Sequence, residues 1–406
     1  DLYKAMTTSD FASELVLIKG TPAETFDNFA RQLEARTHET VLEVNLDAMV
    51  HNYNFFRSRL HHSTGIVAMV KASGYGAGSY ELAKSLQAHG AAYLAVAVLD
   101  EGVELRQAGI TMPIMVLNPK VLNYPQLFAY RLEPEVFDFD ILNEIIEAGR
   151  RVGVKDYPVH LKLDTGMHRL GFCEDDIDRI IKIVRNQDVI RICSVFSHLA
   201  TADCLDMDLY TRAQLELFDR CSQRVVEAFP YRVMRHILNT AGILRFPEYQ
   251  YDLVRLGIGL YGIPILNNGM EEGLRPVSTL RSVIIALKKY PAGTAIGYGR
   301  RGLILKDDTV VATVPVGYAD GVDRHLGCGR CAFVVGGVKC PTVGIICMDV
   351  CMIDVSAVPA VSVGDSVEIF GPENPVTELS RLLDTIPYEL LTSVSPRVRR
   401  LYYRES

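Results

Sequence analysis

The chain has 406 residues, room for two or three domains at about 150 residues each, and its 49% hydrophobic and 22% charged residues are those of a folded globular protein, not a disordered one. No apolar run reaches the length of a membrane-crossing helix. Forty-two lysines and arginines against 49 acids leave a net charge of −7 with no basic tract, so neither a nucleic-acid nor a membrane partner is expected.

Nine cysteines, an odd number spread over a long chain without a signal peptide, fit reduced thiols and predict a cytoplasmic protein. The chain opens at Asp1, in mid-pattern and without Met, which suggests a piece of something longer. Residues 1–40 carry one apolar strand at 15–18, then Lys19-Gly20 and a polar helix-like stretch. This segment stands apart from the rest of the chain.

From there, short β-branched runs recur at 66–72, 93–98, 113–118, 132–137, 159–165, 193–199, 236–240 and 253–258. Most are separated by segments with helical spacing, such as 81–89, 100–108, 143–150, 175–184 and 212–229. Eight strand–helix units over about 200 residues predict a parallel (β/α)8 barrel over 41–275, with a doubly wound open sheet as the rival. Chemistry at the strand ends favours the barrel: Lys71, Asn118, Asp164, His198, Asn239 and Arg255 all fall near a C-terminal strand end. Beyond about 275, strand and turn signals at 280–288, 310–316, 332–335 and 367–370 predict an all-β domain over 276–406. Gly336-Gly337 reads as a tight hairpin within it.

Two-residue alternation puts Val67, Met69 and Lys71 on one face of the first barrel strand. A lysine at the top of the barrel loses solvation, which leaves an amine able to form a Schiff base; the plain alternative is a side chain that reaches solvent. The turn after it, Ser73-Gly74-Tyr75-Gly76-Ala77-Gly78, could bring backbone N–H groups to an anion, though it matches no nucleotide-binding fingerprint. His160, Lys162 and Asp164 share a face, so Lys162 is inside and must be modified or paired with Asp164 or a neighbouring strand's acid. Arg255 cannot escape burial by losing its proton and needs an acceptor in the barrel mouth. His198 is a core or a catalytic histidine, and Arg169 a loop or a site donor. Tyr298 sits between two glycines in the β domain. Cys328, Cys331, Cys340, Cys347 and Cys351 have the wrong spacing for a zinc ribbon, so no metal is expected.

Seven segments in order, among them Val70-Lys71-Ala72-Ser73-Gly74-Tyr75-Gly76, Lys162-Leu163-Asp164-Thr165-Gly166, Ser197-His198, Arg255-Leu256-Gly257-Ile258, Gly297-Tyr298-Gly299, Pro315-Val316-Gly317-Tyr318 and Cys347-Met348-Asp349, resemble the alanine racemase family over about 41–406. The resemblance implies a pyridoxal 5′-phosphate (PLP) enzyme that interconverts L- and D-alanine and supplies D-alanine for peptidoglycan. It makes Lys71 the lysine that holds PLP and pairs it with Tyr298 as the two bases on opposite faces of the α-carbon. Tyr75, Asn239, Thr240, Gly257, Ile258 and Tyr388 would hold the cofactor, chiefly its phosphate. Arg255 would face the ring nitrogen, Arg169 the phenolic oxygen and substrate, and His198 the ring. Lys162 matches a position that is carbamylated in many members. Tyr298, Tyr318 and Met348 would reach the site of a second copy, which implies a homodimer with shared sites and a narrow doorway that favours alanine. The alternatives are a racemase of wider range that takes serine, a decarboxylase on the same plan, or a non-catalytic PLP-binding barrel. Residues 15–20 are similar to the last strand of a Mur ligase, so 1–40 would be a linker or a remnant of one.

Overall fold

The computed structural model describes residues 39–117, 123–266 and 268–405. The predicted strand at 15–18, the ligase-like motif and Asn118 lie outside them. A first strand, β1 (Val41–Asn45), precedes eight parallel strands: β2 (Gly65–Met69), β3 (Tyr93–Val96), β4 (Ile114–Val116), β5 (Glu133–Val136), β6 (Tyr157–Lys162), β7 (Ile190–Phe196), β8 (Met234–His236) and β9 (Leu253–Leu256). Each pairs with its predecessor in the chain except β9, which returns to β2. The remaining gap, between β8 and β9, is bridged by Asp252 N to the Arg235 carbonyl at 3.1 Å and Arg255 N to the Leu238 carbonyl at 2.9 Å. Eight strands therefore form a barrel, and the open sheet is excluded.

Strands covered on both faces read as continuous apolar runs, and Val67, Ala68, Leu94, Ala95, Val96, Val254 and Leu256 are wholly buried. Helix Phe139–Val152 shows how the outer layer is set. Asp138 caps it by accepting from Ile141 N at 2.8 Å, and Ile141, Leu142, Ile145 and Ile146 turn inward. At Gly149 a Cβ would stand 2.3 Å from Val189 Cγ1, so the glycine allows the close packing of helix on barrel.

The second region holds β10 (Ser278–Val283), β11 (Ala286–Tyr290), β12 (Ala295–Ile296), β13 (Gly302–Leu303), β14 (Thr309–Val314), β15 (Ala332–Val335), β16 (Val338–Pro341), β17 (Cys351–Asp354), β18 (Ser366–Phe370) and β19 (Arg399–Tyr403). The single run expected at 280–288 is two strands in different sheets, β10 in a six-stranded sheet and β11 in a three-stranded one. β15 and β16 form the expected hairpin, with Val335 opposite Val338 and both glycines left-handed at φ 55° and 78°. β1 lies in this sheet as well, antiparallel to β10 and parallel to β19, so the chain crosses the β domain before it enters the barrel. Two short helices, Val376–Leu382 and Pro387–Ser393, interrupt the strand pattern. Cys331, Cys340 and Cys351 are buried free thiols that act as small apolar groups in the core.

Candidate active site

The predicted strands overrun the observed ones at their C-terminal ends, and the overrun matters most after β2. Lys71 opens a turn in which Ala72, Ser73, Gly74 and Tyr75 are all left-handed, with φ between 48° and 59°. Non-glycine residues in that region cost roughly 1–2 kcal/mol each, so the turn has to be held from several sides. Gly74 N donates to the Val70 carbonyl at 2.9 Å and Gly78 N to the Ser73 carbonyl at 2.8 Å. Glu101 accepts from Ser73 N at 3.2 Å with one oxygen and from Ala97 N at 2.8 Å with the other. The glycines serve docking: a Cβ at Gly76 would lie 2.1 Å from the Leu391 carbonyl oxygen, and one at Gly78 would lie 1.8 Å from the Tyr402 hydroxyl. The turn is where the β domain rests on the barrel.

Lys71 is thereby set at the mouth of a cavity of about 610 Å³ at the C-terminal strand ends. The candidates Tyr75, Lys162, Arg169, His198, Asn239, Thr240, Arg255, Gly257 and Tyr388 line it too, and Ile258 is fully buried just beyond Gly257. Burial lowers the Lys71 pKa and the nearby Arg169 charge lowers it further, which raises the share of neutral amine at working pH.

One end of the cavity is built of neutral donors. Asn239 caps helix Thr240–Arg245 by accepting from Gly242 N at 3.0 Å, which sets Thr240 over the next strand end. Its hydroxyl accepts from Gly257 N at 3.1 Å and lies 3.5 Å from Gly259 N. Tyr75 packs edge-on between Tyr261 and Tyr388, with centroids 4.5 and 5.7 Å away. A Cβ on Gly257 would sit 3.2 Å from the Tyr75 hydroxyl and 3.7 Å from Thr240 Oγ1. These groups surround a spot that any larger residue at 257 would fill. Burial pushes the Tyr75 hydroxyl well up and the Tyr388 hydroxyl up to about 12, so both stay protonated and can donate. Such a donor set fits the phosphate of PLP.

At the other end Arg255, 4% exposed, has the acceptors that its burial demands. Nη2 donates to the Ser197 carbonyl at 2.6 Å and the Ile237 carbonyl at 3.0 Å, with His198 Nδ1 at 3.4 Å. Nη1 donates to His236 Nδ1 at 2.8 Å. A guanidinium can only donate, so His236 carries its proton on Nε2. That proton goes to Ser194 Oγ at 2.9 Å, the Ser194 hydroxyl turns to His160 Nδ1 at 2.7 Å, and His160 Nε2 donates to Glu133 at 3.0 Å. A single line of hydrogen bonds thus runs inside the barrel from the cavity to Glu133. Burial and the Arg255 charge hold His236 and His198 well below the usual imidazole range, so both present lone pairs. Burial pulls Arg255 down to about 10, which still leaves it cationic at neutral pH.

Lys162 finds its acid on the neighbouring strand: Nζ lies 3.2 and 3.1 Å from the two oxygens of Glu135. Asp164 is used elsewhere, accepting from Gly166 N at 3.0 Å and His168 N at 2.9 Å to shape the loop that carries Arg169. The loop folds back on β6, with Phe172 N on the Lys162 carbonyl at 2.9 Å. Gly171, at φ 133°, is required because a Cβ would meet Asp164 N at 2.5 Å. Phe196 stacks on His236 and lies beneath the Lys162 and Arg255 charges at 5.6 and 5.3 Å. Sequence reasoning missed Glu133, Glu135, Ser194, His236 and Tyr261. The acids at 133 and 135 carried a usable signal, two charges at two-residue spacing in an interior strand.

Tyr298, Tyr318 and Met348 stand outside this cavity, 70%, 43% and 53% exposed on the β domain. The backbone around Tyr318 and Met348 is nonetheless firmly held. Tyr318 N donates to the Cys347 carbonyl at 3.1 Å and Ala319 N to the Met348 carbonyl at 3.0 Å, a contact that only glycine at 317 permits. Buried Asp320 accepts from Gly317 N at 2.9 Å and from Arg397 Nε at 2.7 Å, and Arg397 also grips Asp349 at 2.9 Å.

The chain matches two family models, the alanine racemase N-terminal domain over residues 44–264 and its C-terminal domain over 277–402. Alanine racemase 1 of Clostridium acetobutylicum is 36% identical over 371 residues, covering 89% of this chain and 95% of that protein. The alanine racemase of Clostridium tetani is 39% identical over 377 residues, with 89% and 95% covered. The structure of alanine racemase from Clostridium difficile superposes with a TM-score of 0.85 at 33% identity, covering 91% of this chain and 97% of that one. With its barrel, β domain and lysine-bearing cavity, this chain belongs to the alanine racemase family.

Proposed function

We propose that the chain interconverts L- and D-alanine with PLP held on Lys71, and so supplies D-alanine for peptidoglycan. The observation that carries this is the pairing, in one cavity, of a desolvated lysine with a buried, fully hydrogen-bonded arginine and a neutral hydroxyl cradle. Bound there, PLP supplies the electron sink that makes the α-proton of alanine removable.

The chain's own residues do the rest. Tyr75, Thr240, Tyr388 and the backbone at Gly257 hold the phosphate, with Asn239 fixing Thr240 and Ile258 backing Gly257. With PLP bound, Arg255 would meet the ring nitrogen as a donor that keeps its proton, which would restrain transamination. Arg169 would face the phenolic oxygen and the substrate carboxylate, and His198, already beside Arg255, would pack against the ring. The Lys71 amine takes or returns the α-proton on the face that serves D-alanine.

The opposite face needs Tyr298, and an exposed tyrosine at the turn between β12 and β13 suits delivery into the cavity of a second copy. The protein then acts as a homodimer with two shared sites, in which Tyr318 and Met348 narrow the doorway to alanine-sized side chains. On this reading 41–275 carries the PLP-binding barrel, with β1 at its start lent to the β-domain sheet, 276–406 is the β domain that completes a partner's site, 1–40 a linker or ligase remnant, and the cytoplasm the place of action.

The test is chiral analysis of alanine after incubation with PLP and pure L-alanine. D-Alanine should accumulate with the native chain and not with Lys71→Ala. PLP bound through Lys71 without D-alanine would instead favour a wider-range racemase or a cofactor-binding protein.

A further inference from the structure

Inside the cavity four side chains are cationic by type, Lys71, Lys162, Arg169 and Arg255, and among the described lining residues Glu135 is the one acid. Its placement follows from register. Glu133 and Glu135 share the interior face of β5, and each reaches across to β6, Glu133 to His160 and Glu135 to Lys162. The Glu135 side chain has no exposed surface, and both of its oxygens lie within 3.2 Å of Lys162 Nζ. Its charge is also felt at Lys71, at Arg255 and, with opposite sign, from Arg169.

Carbamylation of a lysine requires a neutral amine. Its nitrogen lone pair attacks the carbon of CO2, an N–C bond forms, one C–O π pair moves to oxygen, and a proton leaves the nitrogen. At Lys162 both conditions are opposed. An ammonium held 3.1 Å from a carboxylate has no lone pair to offer, and a carbamate on Nζ would place a second anion against the buried Glu135. The negative charge that such a modification would bring is already present in the chain.

Resting on the racemase reading of this cavity, we propose that Glu135 is the site's built-in counter-charge: a positioning residue that holds Lys162 unmodified and balances Arg169 and Arg255, making activity independent of carbon dioxide. Burial pushes the Glu135 carboxyl up to about 7 and lowers Lys162, and each partner's charge opposes the other's shift.

The test uses the PLP-loaded protein in isotope-labelled bicarbonate, followed by carbon NMR, together with racemisation rates in CO2-free and bicarbonate buffers. The native protein should show no carbamate resonance that Lys162→Arg removes, and equal rates in both buffers. Glu135→Gln, which keeps the volume and removes the charge, should lower kcat/KM by about tenfold or more in either buffer. Glu135→Ala, which opens space beside Lys162, should gain a Lys162-dependent carbamate resonance and recover activity with bicarbonate. A Lys162-dependent carbamate in the native protein, a bicarbonate-dependent native rate, or an undiminished Glu135→Gln overturns the proposal. The resonance is read whether or not alanine is racemised, so failure of the racemase reading, seen as native protein that forms no D-alanine, is a separate result.

Discussion

The barrel mouth and the exposed end of the β domain are built in opposite ways. At the barrel mouth the functional side chains are buried and satisfied within the chain: Arg255 by two carbonyls and a histidine, Lys162 by Glu135, Thr240 by Gly257. At the β-domain end Asp320 and Arg397 pin the backbone beside Tyr318 and Met348, while the side chains of Tyr298, Tyr318 and Met348 project with much of their surface open. A pocket can complete itself inside one fold. A rigid backbone that presents exposed side chains suits completion by something else.

The comparison breaks or holds most sharply on mixing variants. Lys71→Ala and Tyr298→Phe should each lose about 10²–10⁴-fold of activity as the loss of one proton-transfer group. Unfolded and refolded together in equal amounts, they should regain about a quarter of the native rate, because a mixed dimer restores one intact site in two. No recovery would place both bases in one chain. Tyr298→Phe alone should leave the thermal midpoint unchanged, since its side chain is open to solvent.

The join between the two regions is the next point to strike. Gly76→Ala forces a methyl into the Leu391 carbonyl at a left-handed position, and should cost about 1–3 kcal/mol or more. Its signature is a lowered thermal midpoint with loss of bound PLP, since the same turn carries Lys71. Within the barrel, Ser194→Ala cuts the hydrogen-bonded line and strands one histidine donor and one acceptor. A loss of about 1–3 kcal/mol is expected in denaturant titration, with racemisation falling by less than Lys71→Ala causes.

The smallest expected effect is on pH. His198 and His236 are held below 6.5 when folded, so below about pH 6.5 the unfolded chain takes up more protons and stability falls with acid. Glu135, raised to about 7 from 4.5, acts in the opposite sense over part of that window, but one carboxyl opposes two imidazoles. The thermal midpoint should drop between pH 6.5 and 4.5, and drop less in His236→Phe when each variant is compared with its own value at pH 7.5.

Much of the architecture is readable along the chain. Strands buried on both faces announce themselves as apolar runs, so all eight barrel strands are visible, and a lysine or arginine at the end of such a run is conspicuous because burial penalises it. Strand ends are less visible. The left-handed turn from Ala72 to Tyr75 breaks local preference and exists only because Glu101 and the β domain hold it. The partner of Lys162 stays open between Asp164 and a neighbouring strand's acid, since pairing across strands depends on register, which periodicity alone leaves free. β1 shows the same limit: the runs read after residue 40 begin only at 66, and its place between β10 and β19 is set by residues more than two hundred positions away. Local sequence settles which residues can be strand, helix or turn, because those preferences act within a few residues. Which charges meet inside the barrel, and which side chains are left facing outward, is decided only when distant segments close on one another, because burial and pairing are properties of the assembled chain.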